Sequence, residues 1–146
     1  MLYILLASSA FLMIVQDVQK QTIPLYGLIV FASASLYQSI MMISLEGFWV
    51  AGLIFFLFMA CQGLYYLFKH KAIMGWGDIF LGPLCGLWLQ FDEIPLYFIF
   101  TGIFALLTGL FWWRQWKMRT FPLTPALLSG LGFIFLNRCF IKTIGL

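Results

Sequence analysis

Residues 48–68 read FWVAGLIFFLFMACQGLYYLF, an apolar stretch that carries no charge. A helix needs about 20 such residues to cross the hydrocarbon core of a bilayer, and this run has that length. It shows neither the period-2 alternation of a half-buried strand nor the 3.6-residue stripe of a soluble amphipathic helix. Outward from it the pattern recurs, at about 1–17, 24–44, 78–91, 94–113 and 122–140. The run at 78–91 is short and contains Gly82 and Pro83. It is expected to be thin, tilted or partly unwound, which is stable only where protein or water covers the freed backbone groups. The expected fold is therefore an all-α membrane protein, a polytopic bundle of about six transmembrane helices, forming one domain over residues 1–146.

The composition agrees with that reading. Hydrophobic residues make up 64% and charged residues 9%, and mean hydropathy is +1.03. Aromatics reach 20%, with the six Trp at or near the ends of runs, where their rings suit the headgroup region. The net charge of +3 is small and scattered, which excludes a nucleic-acid partner. Cys61, Cys85 and Cys139 form no CxxC pair, so neither a zinc site nor a disulfide framework is implied. The first run begins at Met1 without a positive n-region, and it is read as a retained span.

Charge sets the expected orientation. Lys20, Lys69, Lys71, Arg114, Lys117 and Arg119 fall in alternate loops and account for six of the eight basic residues. The opposite loops hold Glu46, Asp92 and Glu93 and no base. The positive-inside bias then puts the N-terminus outside and the basic loops in the cytoplasm. Arg138 and Lys142 in the last segment run against that rule, and a true sixth span and a segment that re-enters or lies in the interface both stay open.

Two aspartates stand out against this background. Asp17 opens Asp17-Val18-Gln19-Lys20-Gln21-Thr22-Ile23-Pro24, and Asp78 closes Gly75-Trp76-Gly77-Asp78. Both fall on the cytoplasmic side of the expected topology. Each has a plain structural reading. Asp17 marks where a span leaves the bilayer, and Thr22-Ile23-Pro24 supplies the N-cap and first turn of the next span. Asp78 caps the amides at the start of the fourth span, after a tight glycine turn. Together they suggest more. The two glycines remove side-chain bulk, so that a substrate or another helix can approach the backbone. Two carboxylates close together in a weakly solvated site share one proton. The ionised one can activate water, and the protonated one can donate to a scissile carbonyl oxygen. Other hydrolytic chemistries lack their parts. His70 is the lone histidine and lies in a basic run, so HExxH is absent, and there is no GxSxG nucleophile motif. His70 is read as a headgroup-facing loop residue.

These motifs resemble those of the type IV prepilin peptidases, membrane aspartyl proteases also called leader peptidases. The likeness rests on Asp-x5-Ile-Pro at Asp17 to Pro24 and Gly-x-Gly-Asp at Gly75 to Asp78. A weaker match is Phe121-Pro122-Leu123-Thr124-Pro125-Ala126-Leu127, similar to the opening of that family's last conserved helix. The resemblance implies that Asp17 and Asp78 are the catalytic pair, with Gly75, Gly77 and Pro24 shaping the site. It implies prepilin or pseudopilin precursors as partners, cleaved after a short basic leader at the cytoplasmic face of a bacterial inner membrane. No metal or cofactor is implied, because the cysteine-paired zinc insert of larger members is missing, and methyltransferase activity is not supported.

The chain departs from the family at two positions: Leu25 stands where a polar residue usually follows Ile-Pro, and Phe80 where lysine is usual. Loss of that cation bears on Asp78 and on substrate contact, and implies reduced or specialised activity. Gly-x-Gly-Asp also occurs in the presenilin and signal-peptide-peptidase type of protease, with which Pro125-Ala126-Leu127 is associated. Those proteins are longer, and their first aspartate follows a tyrosine where Gln16 stands here. Two other classes remain open from sequence: a small proton-coupled transporter or channel, and an inactive membrane assembly partner. The transporter would string ionisable residues across the bilayer, which these runs do not. The small-xxx-small spacing Gly82-Pro83-Leu84-Cys85-Gly86 suits an enzyme core or an assembly partner equally. Oligomeric state is not legible.

Overall fold

The computed structural model describes residues 2–20, 22–41, 45–70, 74–116 and 123–144. Six α-helices and one 3-10 turn are present among the described residues. In order they are α1 (Leu2–Lys20), α2 (Leu25–Met41), α3 (Leu45–Lys69), α4 (Trp76–Gly86), the 3-10 turn Phe91–Glu93, α5 (Ile94–Trp116) and α6 (Thr124–Ile144). Lys71, Lys117, Arg119, Phe121, Pro122 and the side chains of Arg114 and Lys142 lie outside the described residues.

Sequence neighbours pair as antiparallel hairpins, α1 with α2, α3 with α4 and α5 with α6. The hairpins are joined through α4, which also packs on α2 and α6, and through α6, which also packs on α1. The core is built from Met13, Phe31, Val50, Ile54, Leu81, Cys85, Tyr97, Leu127 and Ile134, all buried. The outward faces are just as apolar, with Phe56 at 71% and Leu106 at 69% exposure. A surface of that kind needs apolar surroundings. The segments Leu45–Lys69 and Phe91–Trp112 are long and apolar enough to cross a membrane.

The fourth expected span is the one that departs most from a full crossing. α4 has 11 residues, about 16 Å of rise, roughly half a hydrocarbon core. Pro83 cannot donate to the preceding turn, and the helix end tightens through Trp88 N–H to Cys85 C=O and Leu89 N–H to Gly86 C=O, both at 3.1 Å. Leu87, Trp88 and Leu89 then continue as buried, non-helical chain. Their polar groups find partners in the protein, as the sequence required. Ser39 Oγ donates to Leu87 C=O at 3.4 Å, Trp88 Nε1 to Ser35 Oγ at 2.8 Å, and Arg138 to Trp88 C=O at 2.9 Å. The Gly82/Gly86 spacing serves this packing too. A Cβ at Gly86 would lie 2.9 Å from Ala51 Cα, so α3 and α4 approach backbone to backbone there.

Arg138, which violates the expected charge rule, forms an ion pair with Glu93. Glu93 also accepts the Gln90 N–H at 2.9 Å, and Glu46 accepts the Phe91 N–H at the same distance. The cation is thus neutralised within the protein. Two boundary details differ from expectation. α1 continues one turn past residue 17, so Asp17 lies inside the helix. Thr22 is exposed and is not the cap of α2. Pro24 takes that place, its carbonyl accepting from Leu28 N–H at 3.1 Å.

Candidate active site

Asp17 occupies the last turn of α1 and is only 5% exposed. That is the negative end of its own helix dipole, a poor place for a carboxylate without outside donors. The donor comes from α6. The first amides of a helix have no intrahelical acceptor, and the N–H of Thr124, the first residue of α6, donates to Asp17 Oδ2 at 3.1 Å.

Asp78 is the third residue of α4, after Gly75 as N-cap. Its carboxylate reaches back to the Gly75 N–H, one half of a capping-box arrangement. The capping reading of the sequence therefore holds, yet it does not exhaust the residue. The Thr124 hydroxyl donates to Asp78 Oδ1 at 3.4 Å. α1, α4 and α6 thus converge at one end of the bundle, and Thr124, fully buried, stands between the two acids.

The flanking residues differ in how closely they are packed against this convergence. A Cβ on Gly77 would lie 2.8 Å from Ile23 Cδ1 and 3.0 Å from Ile23 Cβ. The second glycine of one aspartate motif is therefore seated on the isoleucine of the other. Gly75 has ordinary extended backbone, φ −71° and ψ 150°, and a Cβ there would meet only Asp78 Oδ2, at 3.6 Å. Pro24 immediately precedes α2, next to Ile23, and lies close to Gly27. Gln62 on α3 accepts the Met74 N–H at 3.1 Å and so ties down the approach to Gly75.

Leu25 is 65% exposed. Phe80, two residues past Asp78, sits nearly on the opposite side of α4. Its ring lies against Phe55 of α3, with centroids 6.4 Å apart. Lys20, Lys69 and His70 are exposed at the site's end of the bundle. His70 terminates α3 in the left-handed conformation, φ 52°, donating its N–H to Tyr66 C=O at 2.9 Å.

Gln62 carries no mark in the sequence, and Thr124 lies within the Phe121–Leu127 match without being singled out as a site residue. Leu123-Thr124-Pro125 before an apolar run signals a helix start, but nothing local says which carboxylates that start will meet.

The model of the Type IV leader peptidase family matches residues 4–110. The chain belongs to the type IV leader peptidase family. This is the family that the two aspartate motifs resemble, and membership makes the chain a leader-peptidase-like protease of a membrane-associated family. No curated protein and no solved structure matches it. The family match contains α1 to α4 and most of α5, with both carboxylates, and ends before α6.

Proposed function

We propose that this leader peptidase is an intramembrane aspartic endopeptidase that removes the short basic leader of type IV prepilin or pseudopilin precursors. The observation that carries the reading is the meeting of Asp17 and Asp78 on Thr124, from motifs far apart in the chain. One carboxylate, ionised, takes a proton from a water molecule as its oxygen attacks the scissile carbonyl carbon. The other, protonated, donates to the carbonyl oxygen, and a tetrahedral diol forms. Its collapse breaks the C–N bond, with one proton passing to the leaving amine. The reaction consumes one water and needs neither metal nor cofactor.

In this reading the bundle spans a bacterial inner membrane six times as a single peptidase domain, with the N-terminus outside. Lys20, Lys69 and the other basic loop residues then mark the cytoplasmic face, where a basic leader also lies. The distribution of charge favours a peptidase over a transporter. Acids stand near the two ends of the bundle, Asp17 and Asp78 at one and Glu46, Asp92 and Glu93 at the other, with no ionisable ladder between them.

The test is cleavage of a leader-bearing pilin peptide by the purified protein in detergent. Wild type cleaves, and Asp17→Asn and Asp78→Asn each abolish cleavage. Undiminished cleavage by either variant would eliminate the assignment.

A further inference from the structure

We propose that Thr124 is a positioning residue for the reaction, fixing the two carboxylates relative to each other through two donors on one side chain and backbone. The inference rests on the peptidase reading above and extends it to α6, which the family match does not reach.

The argument starts from the freedom of an aspartate. Its terminal torsion is broad, so a carboxylate plane turns unless donors hold it. A shared proton and an attacking water demand fixed planes, because catalytic geometry tolerates only about 0.5 Å of looseness. Thr124 supplies a backbone N–H to Asp17 Oδ2 at 3.1 Å and a hydroxyl to Asp78 Oδ1 at 3.4 Å. These two donors are joined through a single Cα–Cβ unit, so one residue sets the spacing of both acids. Two donors on separate elements would let the carboxylates drift apart as helices breathe.

The residue is 0% exposed, so its two donors are shielded from bulk water. Its N–H is anchored by helical backbone, since Ala126 and Leu127 both donate to Leu123 C=O, at 3.0 and 3.1 Å. The hydroxyl bond is long, and bonds of this kind tighten when substrate closes the site. A hydroxyl also has acceptor capacity left over, which lets it stay bonded while the shared proton moves between the acids.

The experiment compares wild type, Thr124→Val, Thr124→Ala, Thr124→Ser and Asp78→Asn, all full length in detergent, with the leader-bearing pilin peptide. Thermal unfolding checks the fold of each. Thr124→Val keeps the shape and the N–H but loses the hydroxyl. It is expected to lower kcat by about 10- to 100-fold, the worth of a hydrogen bond to a charged group, with KM changed less than about twofold. It should also displace the kcat–pH profile and the infrared band of the protonated carboxyl. Thr124→Ser should restore kcat, profile and band. Thr124→Ala reads the same loss if the valine variant does not fold.

Wild-type kcat, profile and band in folded Thr124→Val or Thr124→Ala, with Asp78→Asn inactive, would overturn the role of Thr124 and leave the peptidase reading standing. A fully active Asp78→Asn would remove both.

Discussion

Gly77→Ala tests whether the two aspartate motifs are assembled by direct packing. The added Cβ would lie 2.8 Å from Ile23 Cδ1, 3.0 Å from Cβ and 3.1 Å from Cγ1. The first of these atoms can swing away, but the other two sit on a β-branched stem whose rotamers are restricted. The backbone beneath them runs into Pro24, whose φ is fixed. Carbon pairs settle at about 3.5–4.0 Å, so α4 and the connection carrying Ile23 must part by about 0.5 Å. Overpacking of this kind costs about 1–3 kcal/mol, offset by up to about 1 kcal/mol from replacing glycine in a helix. The net expectation is a destabilisation of roughly 0–3 kcal/mol.

The larger effect should be on rate. Asp78 is the next residue, and a shift of about 0.5 Å is enough to spoil a constellation that loses about 100-fold for 1 Å. Gly77→Ala should therefore cut kcat by about 10-fold or more, while Gly75→Ala, whose Cβ meets only Asp78 Oδ2 at 3.6 Å, stays near wild type. Denaturation in detergent gives the stability, and turnover of the leader-bearing peptide gives the rate. Adding Ile23→Ala to Gly77→Ala should recover part of the loss through the coupling of the two sites. Equal turnover and stability for Gly77→Ala and wild type would refute the claim that Ile23 seats the motif, as would a larger loss at Gly75 than at Gly77.

The remaining predictions concern residues away from the carboxylates. Glu93→Gln removes the ion pair with Arg138 at the opposite end of the bundle, and should lower stability by about 1–3 kcal/mol without changing kcat. A large loss of turnover at preserved stability would place that pair in the site instead. His70→Gly should raise stability by about 0.5–1 kcal/mol, because φ 52° is strained for histidine and free for glycine. A lower melting temperature would show that the edge contact with Tyr66 outweighs that strain.

The helices were legible because their signal is local. Runs such as 48–68 and 94–113 are uncharged and predominantly apolar, and the structure places helices over both. The unwinding after Gly86 was legible too, since Gly82 and Pro83 interrupt a run already too short. The boundary at Asp17 was misread for a physical reason. Polarity begins there, but a helix ends where its hydrogen bonds end, and α1 carries on to Lys20. Thr22 misled in a similar way, because capping depends on backbone geometry and Pro24 takes the position. Of the site, both aspartates stood out as acids in hydrocarbon. For Thr124 only the surrounding Phe121–Leu127 stretch stood out, because its bonds span 107 and 46 residues of sequence, and no local pattern encodes separations of that size.

The two ends of the bundle illustrate different uses of buried polar groups. At one end Arg138, Glu93, Glu46, Ser35 and Ser39 satisfy a stretch of unwound chain, and cation and anion cancel. At the other end two acids meet with no basic side chain bonded to them among the described residues. Their donors are backbone and hydroxyl groups at the starts of α4 and α6, the positive ends of two helices. Such donors stabilise one negative charge without neutralising it, whereas a bound lysine or arginine would quench it as a base. Two full charges held on one threonine would repel in weakly solvated surroundings. An arrangement that favours one charge and resists a second is what a carboxylate pair sharing a proton requires. It also explains why a carboxylate can sit at the unfavourable end of α1. The term lost to its own helix is recovered from α6, and that dependence ties the acid's position to Thr124.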